Sequence, residues 1–180
     1  MVCDITNGDA VSAAYETTVK AFGGLDMLVL NAGVFPKGTR IAELALEDFM
    51  RVMHINLDAN LVLMRLAHSL MKLAPGKGRV VLNGSRNALA PGPGAAAYST
   101  SKAALTQMGR VNMIHAHAVF DTGLWTPEVL AARAAHYGIT VQEYKTNNVL
   151  KTEVKSRDVG ELAASMCGPL FARTTGAQVP

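Results

Sequence analysis

The sequence has little charge and little cysteine. Asp, Glu, Lys and Arg make up 17% of its 180 residues, against the usual quarter, and the cysteines number two, Cys3 and Cys167. Two cysteines without metal-ligand spacing exclude a disulfide framework and a zinc module, and both read as small buried hydrophobes. No apolar run reaches the ~18 residues of a membrane span. The opening Met1-Val2-Cys3-Asp4 lacks the basic stretch and apolar core of a signal peptide, so the expected location is the cytoplasm, with no membrane partner. Repeats and low-complexity segments are also missing. At 49% hydrophobic residues, the chain has material for a core, and disorder is excluded.

Acidic residues are absent between Asp58 and Asp121, whereas Arg65, Lys72, Lys77, Arg79, Arg86, Lys102 and Arg110 fall inside that stretch. Both an anionic ligand and a solvated basic face fit this pattern. The net charge of +3 is scattered and carries no interleaved aromatics, so nucleic acid is not an expected partner.

What is present is an alternation of helix and strand signals. Val11, Ala14, Thr18, Val19 and Phe22 recur at helical spacing over residues 9 to 22, behind the capping candidates Asn7 and Asp9 and ahead of Gly23-Gly24. Met27 to Leu30 then reads as a strand buried on both faces and ends in Asn31-Ala32-Gly33. A long helix is predicted from Leu46 to Leu73, then a strand from Arg79 to Leu82 leading to Ser85, a Pro/Gly loop at 91 to 94, and helix formers from Ala95. A third strand is read over Val111 to Phe120. Short helices follow, one capped by Thr126-Pro127 and one by the Thr140/Glu143 box, and a last helix runs from Ser156 to Cys167. The expected fold is α/β, an open, doubly wound parallel sheet with helices on both faces, forming one domain over residues 1–180.

In such sheets ligands bind beyond the carboxyl ends of the strands. Ser85 lies there, and Tyr98 and Lys102 stand at i and i+4 on the helix that follows, so phenol and ammonium share one face. A neighbouring cation favours the phenolate and brings a poor base toward neutral pH. A serine hydroxyl at a strand end can hold a substrate oxygen against that phenol. A hydrolase built on Ser85 is disfavoured, because no G-x-S-x-G elbow surrounds it. His115 and His117 share one face of the predicted third strand, but without a third ligand no metal is expected.

Asn31-Ala32-Gly33 after a strand, Asn56 within a helix, Ser85 after the next strand, and then Tyr98 and Lys102, in this order, resemble the short-chain dehydrogenase/reductase family, whose fold is Rossmann-like. The resemblance implies Tyr98 as proton donor or acceptor, and Lys102 as the residue that lowers its pKa and holds the nicotinamide ribose. It implies Ser85 as the holder of the substrate oxygen, and Asn56 as support of a water relay. Asn31, Ala32 and Gly33 would support the adenosine side of NAD, with NADP not separated. Asp4, with Ile5, matches the acidic position at the end of the family's third strand, and Thr122 matches a threonine beside the nicotinamide. The segments APGPGAAAYSTSKAAL, AVFDTGLWT, YKTNNVLKTEV and residues 167–180 are similar to the dehydrogenase part of bifunctional rhamnulose-1-phosphate aldolase/lactaldehyde dehydrogenases of rhamnose metabolism. That likeness implies oxidation of a small alcohol or aldehyde, lactaldehyde to lactate, with residues 121–155 as a substrate lid walled by Trp125 and Tyr144.

Against the family pattern, the glycine-rich turn of the first strand-helix unit has no counterpart, and two such units are expected to be missing ahead of Asp4. The Gly92-Pro93-Gly94-Ala95-Ala96-Ala97 loop fits G-x-G-x-x-A in letters only. The stretch from Lys102 to Val111 is short for a crossover, which leaves a homo-oligomer open but its interface helix shortened. Ala116-His117 replaces the family's Pro-Gly or Pro-Asp. The alternative to an enzyme is a non-catalytic fragment or assembly module without a cofactor site.

Overall fold

The Asn7 side chain accepts from the amides of Asp9 and Ala10 and thereby starts helix α1, Gly8–Phe22, which Gly23 ends in the left-handed region at φ 82°. The computed structural model describes residues 1–180. After α1 come strand β1 (Met27–Leu30), helices α2 (Leu46–Met53) and α3 (Ala59–Met71), β2 (Arg79–Asn83), α4 (Ala96–Gln107) and β3 (Asn112–Ile114). The chain ends with α5 (Pro127–His136), α6 (Val141–Lys145), α7 (Ser156–Cys167) and β4 (Gln178–Val179). The strands form one parallel sheet in the order β1-β2-β3-β4. Leu28 pairs with Val80, Leu82 with Met113, and Ile114 with Val179.

Side-chain alternation along β2 divides the core between the two faces. Leu82 points into a cluster with Val11, Tyr15, Leu30, Leu63, Ala67, Leu105 and Met113, beneath α1 and α3. Val81 points the other way, with Ile114 against Ala163, Met166 and Cys167 of α7. Truncating a fully buried leucine such as Leu82 to alanine would cost about 2–5 kcal/mol. Tyr15 ties the two covering helices by donating its hydroxyl to the Leu63 carbonyl at 3.1 Å, and its burial pushes the phenol up to about 12.

Several expectations are corrected. β1 is covered on one face only: Met27 is 53% and Val29 46% exposed, because α7 lies over β2 and β3 and no element lies over the second face of β1. Phe22, assigned to the apolar face of α1, is exposed, and Tyr15 occupies the core instead. The helix expected from Leu46 to Leu73 is interrupted by a π-turn at His54–Asp58. The third strand stops at Ile114, so His115 to Phe120 lie outside it and the two histidines share no strand face. Met1 to Asp4 belong to no strand. The crossover after Lys102 is sufficient, since α4 completes its turns to Gln107 and β3 still pairs parallel with β2. The capping of α5 by Thr126 and the Thr140/Glu143 box of α6 are present as read.

Candidate active site

The carboxyl ends of β1 and β2 are laced together by side chains. Asn83, the last residue of β2, donates its Nδ2 to Asn31 Oδ1 at 2.7 Å, and its main-chain carbonyl accepts Lys102 Nζ at 2.8 Å. Gly33 packs so closely that a Cβ there would meet Asn56 Oδ1 at 3.0 Å and Lys102 Nζ at 3.9 Å. An alanine there would press on the Asn56 carboxamide, whereas its contact with Lys102 would be an ordinary one. Gly84 is tighter, since a Cβ there would meet Met113 Sδ at 2.8 Å and His115 Nδ1 at 2.9 Å.

Asn56 sits at the centre, fully buried on the π-turn. Its Oδ1 accepts the Val34 amide at 2.8 Å, and its Nδ2 donates to the Val34 carbonyl and to Ser101 Oγ, each at 3.0 Å. The widened turn exposes the Asn56 carbonyl to a side chain from the next turn, Asn60 Nδ2, at 2.8 Å. π-turns of this kind concentrate at functional sites, because they free backbone groups from the regular ladder.

Ser85 follows β2 in extended conformation and caps a short turn, Arg86–Ala88, by accepting the Asn87 amide at 3.2 Å. His115 fixes its backbone: the buried ring places Nδ1 3.0 Å from the Ser85 carbonyl and Nε2 3.2 Å from Gln178 Oε1. Tyr98, in the first turn of α4, packs its ring edge-on against Phe35 with centroids 4.6 Å apart. Burial raises the Tyr98 phenol above its usual range, and the Ser85 hydroxyl pulls it partly back. Lys102 shares the face of Tyr98, yet its Nζ is 5.8 Å from the ring centroid and is held by Asn83 rather than by the phenol. Burial alone brings the Lys102 ammonium down to about 8. A cation and a hydroxyl therefore flank one phenol, a set suited to moving a proton to or from a substrate oxygen.

The structure thus gathers Asn31, Gly33, Asn56, Ser85, Tyr98 and Lys102. Asp4 and Thr122 stand apart from this network. The Asp4 carboxylate accepts from the amide and hydroxyl of Thr6, at 2.9 and 2.7 Å, which holds its pKa below the carboxylate norm, and Ile5 packs against the core. Thr122 gives its hydroxyl to the Val119 carbonyl at 2.9 Å. Trp125 and Tyr144 pack with Phe120, at centroid distances of 5.0 and 5.8 Å, into an aromatic nest. Residues 121–155 are tied at their base by Ser156, whose amide and hydroxyl donate to Asp121 at 2.8 and 2.7 Å. No three His, Cys, Asp or Glu side chains come together as a metal site would require.

A dinucleotide fits this edge in part. Asn83, whose Nδ2 and main-chain carbonyl are engaged by Asn31 and Lys102, keeps Oδ1 buried without a partner, so this edge has one free acceptor for a ribose hydroxyl. The glycines at 92 and 94 offer no pyrophosphate cradle, since the Gly92 amide is engaged by Asn87 Oδ1 at 2.8 Å and the Gly92 carbonyl by the Ala95 amide.

Comparison with known proteins agrees with this geometry. A family profile described as enoyl-(acyl carrier protein) reductase matches residues 1–180. The chain belongs to the short-chain dehydrogenase/reductase family. It is 28% identical over 193 aligned positions to the uncharacterized oxidoreductase YuxG of Bacillus subtilis, covering 98% of this chain and 28% of that one. A short-chain dehydrogenase/reductase from Serratia marcescens superposes with a TM-score of 0.82 at 29% identity, over 99% of this chain and 73% of the other. An NAD+-bound xylitol dehydrogenase superposes with a TM-score of 0.87 at 23% identity, over 100% of this chain and 76% of that one, which establishes the Rossmann-like fold. The chain thus spans just over a quarter of YuxG's length. No helix is long and apolar enough to cross a membrane.

Sequence reasoning did not find Asn60, Asn83, Ser101 or His115 as parts of the site. The partners of Asn83 and His115, and the Asn56 partner of Ser101, lie in other elements, so no local spacing marks them, whereas Asn60 reaches Asn56 four residues back, a spacing visible in the sequence. The Asn83 position at the end of β2, one residue before Gly84-Ser85, was the other available signal.

Proposed function

We propose that the Ser85, Tyr98 and Lys102 group carries a nicotinamide-dependent oxidoreductase reaction on a small alcohol or aldehyde. The observation that supports it is the convergence of these three residues, with Asn56, at the carboxyl edge of β2. A bound nicotinamide supplies or accepts the hydride. Ser85 Oγ holds the substrate oxygen, and the Tyr98 hydroxyl donates the proton to a carbonyl or takes it from an alcohol. Lys102, anchored on Asn83, would hold the nicotinamide ribose; contrary to expectation, the Tyr98 phenol is raised by burial and drawn back by Ser85 and not by Lys102. Asn56 supports the water relay that refills the proton. NAD is the proposed cofactor.

The substrate proposed is lactaldehyde, oxidised to lactate, from the likeness of residues 90–105, 118–126, 144–154 and 167–180 to lactaldehyde dehydrogenases. Oxidation of an aldehyde at this site proceeds through its hydrate: Tyr98 takes a proton from one hydroxyl while the hydride leaves the same carbon. No thiohemiacetal is available, because Cys167, the last residue of α7, is buried against β2 and β3 and Cys3 packs against the other core. Residues 121–155, with Trp125 and Tyr144, form the proposed lid.

Titration calorimetry of NAD and of NADP on the folded chain, followed by lactaldehyde turnover, tests this reading. Micromolar binding of NAD and turnover abolished in Tyr98→Phe are expected. A folded chain that binds neither nucleotide, or turnover unchanged in Tyr98→Phe, would overturn it.

A further inference from the structure

The exits of β2 and β3 are held together residue by residue. The Gly84 amide donates to the Ile114 carbonyl at 2.7 Å, and the Arg86 amide donates to the Ala116 carbonyl at 3.1 Å. Between them, the Ser85 carbonyl takes two donors, the Ala88 amide at 2.9 Å and His115 Nδ1 at 3.0 Å. The Ala88 bond closes the Arg86–Ala88 turn on itself and would move with it. The His115 bond ties Ser85 to the sheet, and of these four holds it is the one that depends on a side chain.

His115 is itself fixed from several directions and is only 2% exposed. Its amide donates to the Val179 carbonyl at 2.7 Å, its Nε2 lies 3.2 Å from Gln178 Oε1, and a Cβ on Gly84 would stand 2.9 Å from its Nδ1. A carbonyl only accepts, so the bond to Ser85 puts a proton on Nδ1. Nε2 of a neutral ring then accepts, and a half-turn of the Gln178 carboxamide brings its amino group to that nitrogen. Through this one ring the short strand β4 reaches the residue whose hydroxyl accepts the Asn87 amide at 3.2 Å and draws the Tyr98 phenol back toward its ordinary range.

We infer that His115 is a positioning residue of this active site, anchored by Gln178 of β4, which holds the Ser85 backbone so that its hydroxyl meets Tyr98 and the substrate oxygen. The inference rests on the oxidoreductase reading for the task of Ser85, and adds β3 and β4 to the elements that support it.

His115→Asn compared with His115→Gln tests this role. Counted in bonds from Cα, the asparagine Nδ2 stands where Nδ1 does and still donates to the Ser85 carbonyl, whereas the glutamine Nε2 stands where the far ring nitrogen does. Glutamine fills the space of the ring better, so a residue that only packs tolerates glutamine and suffers from asparagine. A positioning residue reverses that order. In lactaldehyde oxidation with NAD, His115→Gln is expected to lower kcat about tenfold with KM for NAD unchanged, and His115→Asn to stay within about threefold of wild type. In a Ser85→Ala background His115→Gln is expected to cost nothing further, since the group it positions is gone. Melting curves check that each variant folds, and His115→Leu, which has no donor, replaces His115→Gln if the latter does not.

Long-range proton–nitrogen NMR of the histidine-labelled chain is expected to find a proton on His115 Nδ1. A ring protonated on Nε2 alone overturns the inference. Equal kcat in wild type and His115→Gln, or a greater loss in His115→Asn, overturns it while leaving the oxidoreductase reading in place. In a chain without turnover, hydrogen exchange of the Asn87 amide, which donates to Ser85 Oγ, gives the same ranking. Faster exchange in His115→Gln and not in His115→Asn keeps the hold of His115 on Ser85 and removes the oxidoreductase reading. Equal exchange in all three chains removes both.

Discussion

Lys102 gives its Nζ to the main-chain carbonyl of Asn83 at 2.8 Å, while Tyr98, one turn back on the same helix, keeps its ring centroid 5.8 Å from that nitrogen. The lysine is therefore a buried ammonium with one neutral acceptor. Water no longer solvates it, and its proton is held less tightly than in the unfolded chain.

That arrangement sets a pH dependence of stability. The folded chain releases the Lys102 proton near 8 and the unfolded chain near 10.5, so between these values the unfolded state binds more protons and stability rises with pH. Below about 8 both states are protonated and the desolvation cost is constant. Melting curves from pH 7.5 to 10 are expected to show wild type gaining stability relative to Lys102→Met, on the order of 2 kcal/mol at pH 10. A wild type that loses stability relative to Lys102→Met over that range would contradict the buried ammonium.

Asn56 holds both polar groups of Val34 and the Ser101 hydroxyl from a fully buried position. Replacing it with alanine orphans the Val34 amide and leaves a cavity. Asn56→Ala is expected to lose about 2–4 kcal/mol in urea denaturation. A loss under 0.5 kcal/mol would mean that the loop after β1 is held by something else.

Gly84→Ala drives a methyl into Met113 Sδ, His115 Nδ1 and the Ile114 carbonyl, all within about 3.0 Å. The backbone carbonyl cannot rotate away, so β2 and β3 must separate. The variant is expected to be about 1–3 kcal/mol less stable by thermal denaturation and to lose affinity for substrate through displacement of Ser85. Unaltered melting would show that the strands yield at little cost.

Met27 and Val29 form an exposed apolar strip on an edge strand. Such edges recruit other chains. Val29→Lys is expected to reduce association in light scattering while changing stability by less than about 0.5 kcal/mol. Association undiminished in this variant would place the sticky surface elsewhere.

Where a feature depends on neighbours in sequence, it was legible. Asn7, Thr126 and Thr140 cap helices because capping is a local hydrogen bond, and Tyr98 with Lys102 share a face because helical periodicity requires it. Features decided by distant partners were not. Val111 to Phe120 is rich in apolar residues, yet only three residues pair as β3, since β4 offers a two-residue edge and His115 leaves the strand to hold Ser85. Two-sided burial of β1 was read from its apolarity, but what covers a strand is a property of the fold rather than of the strand.

The π-turn also has a consequence for phase. Val52, Asn56, Asn60, Leu63, Ala67 and Met71 are the inward residues of the α2 to α3 rod, and their spacing is longer than a helical turn. On an unbroken α-helix this stripe would precess by about 100° between Val52 and Met71, one residue's worth of rotation. The extra residue wound into His54–Asp58 absorbs that precession. The inserted residue therefore leaves everything after it in the register of an unbroken helix one residue shorter. A one-residue deletion there would restore a regular helix that keeps Leu63 and Ala67 facing the core, but it would remove the widened turn from which Asn56 reaches Val34 and Ser101, so that one step in chain length serves the active site and not the packing.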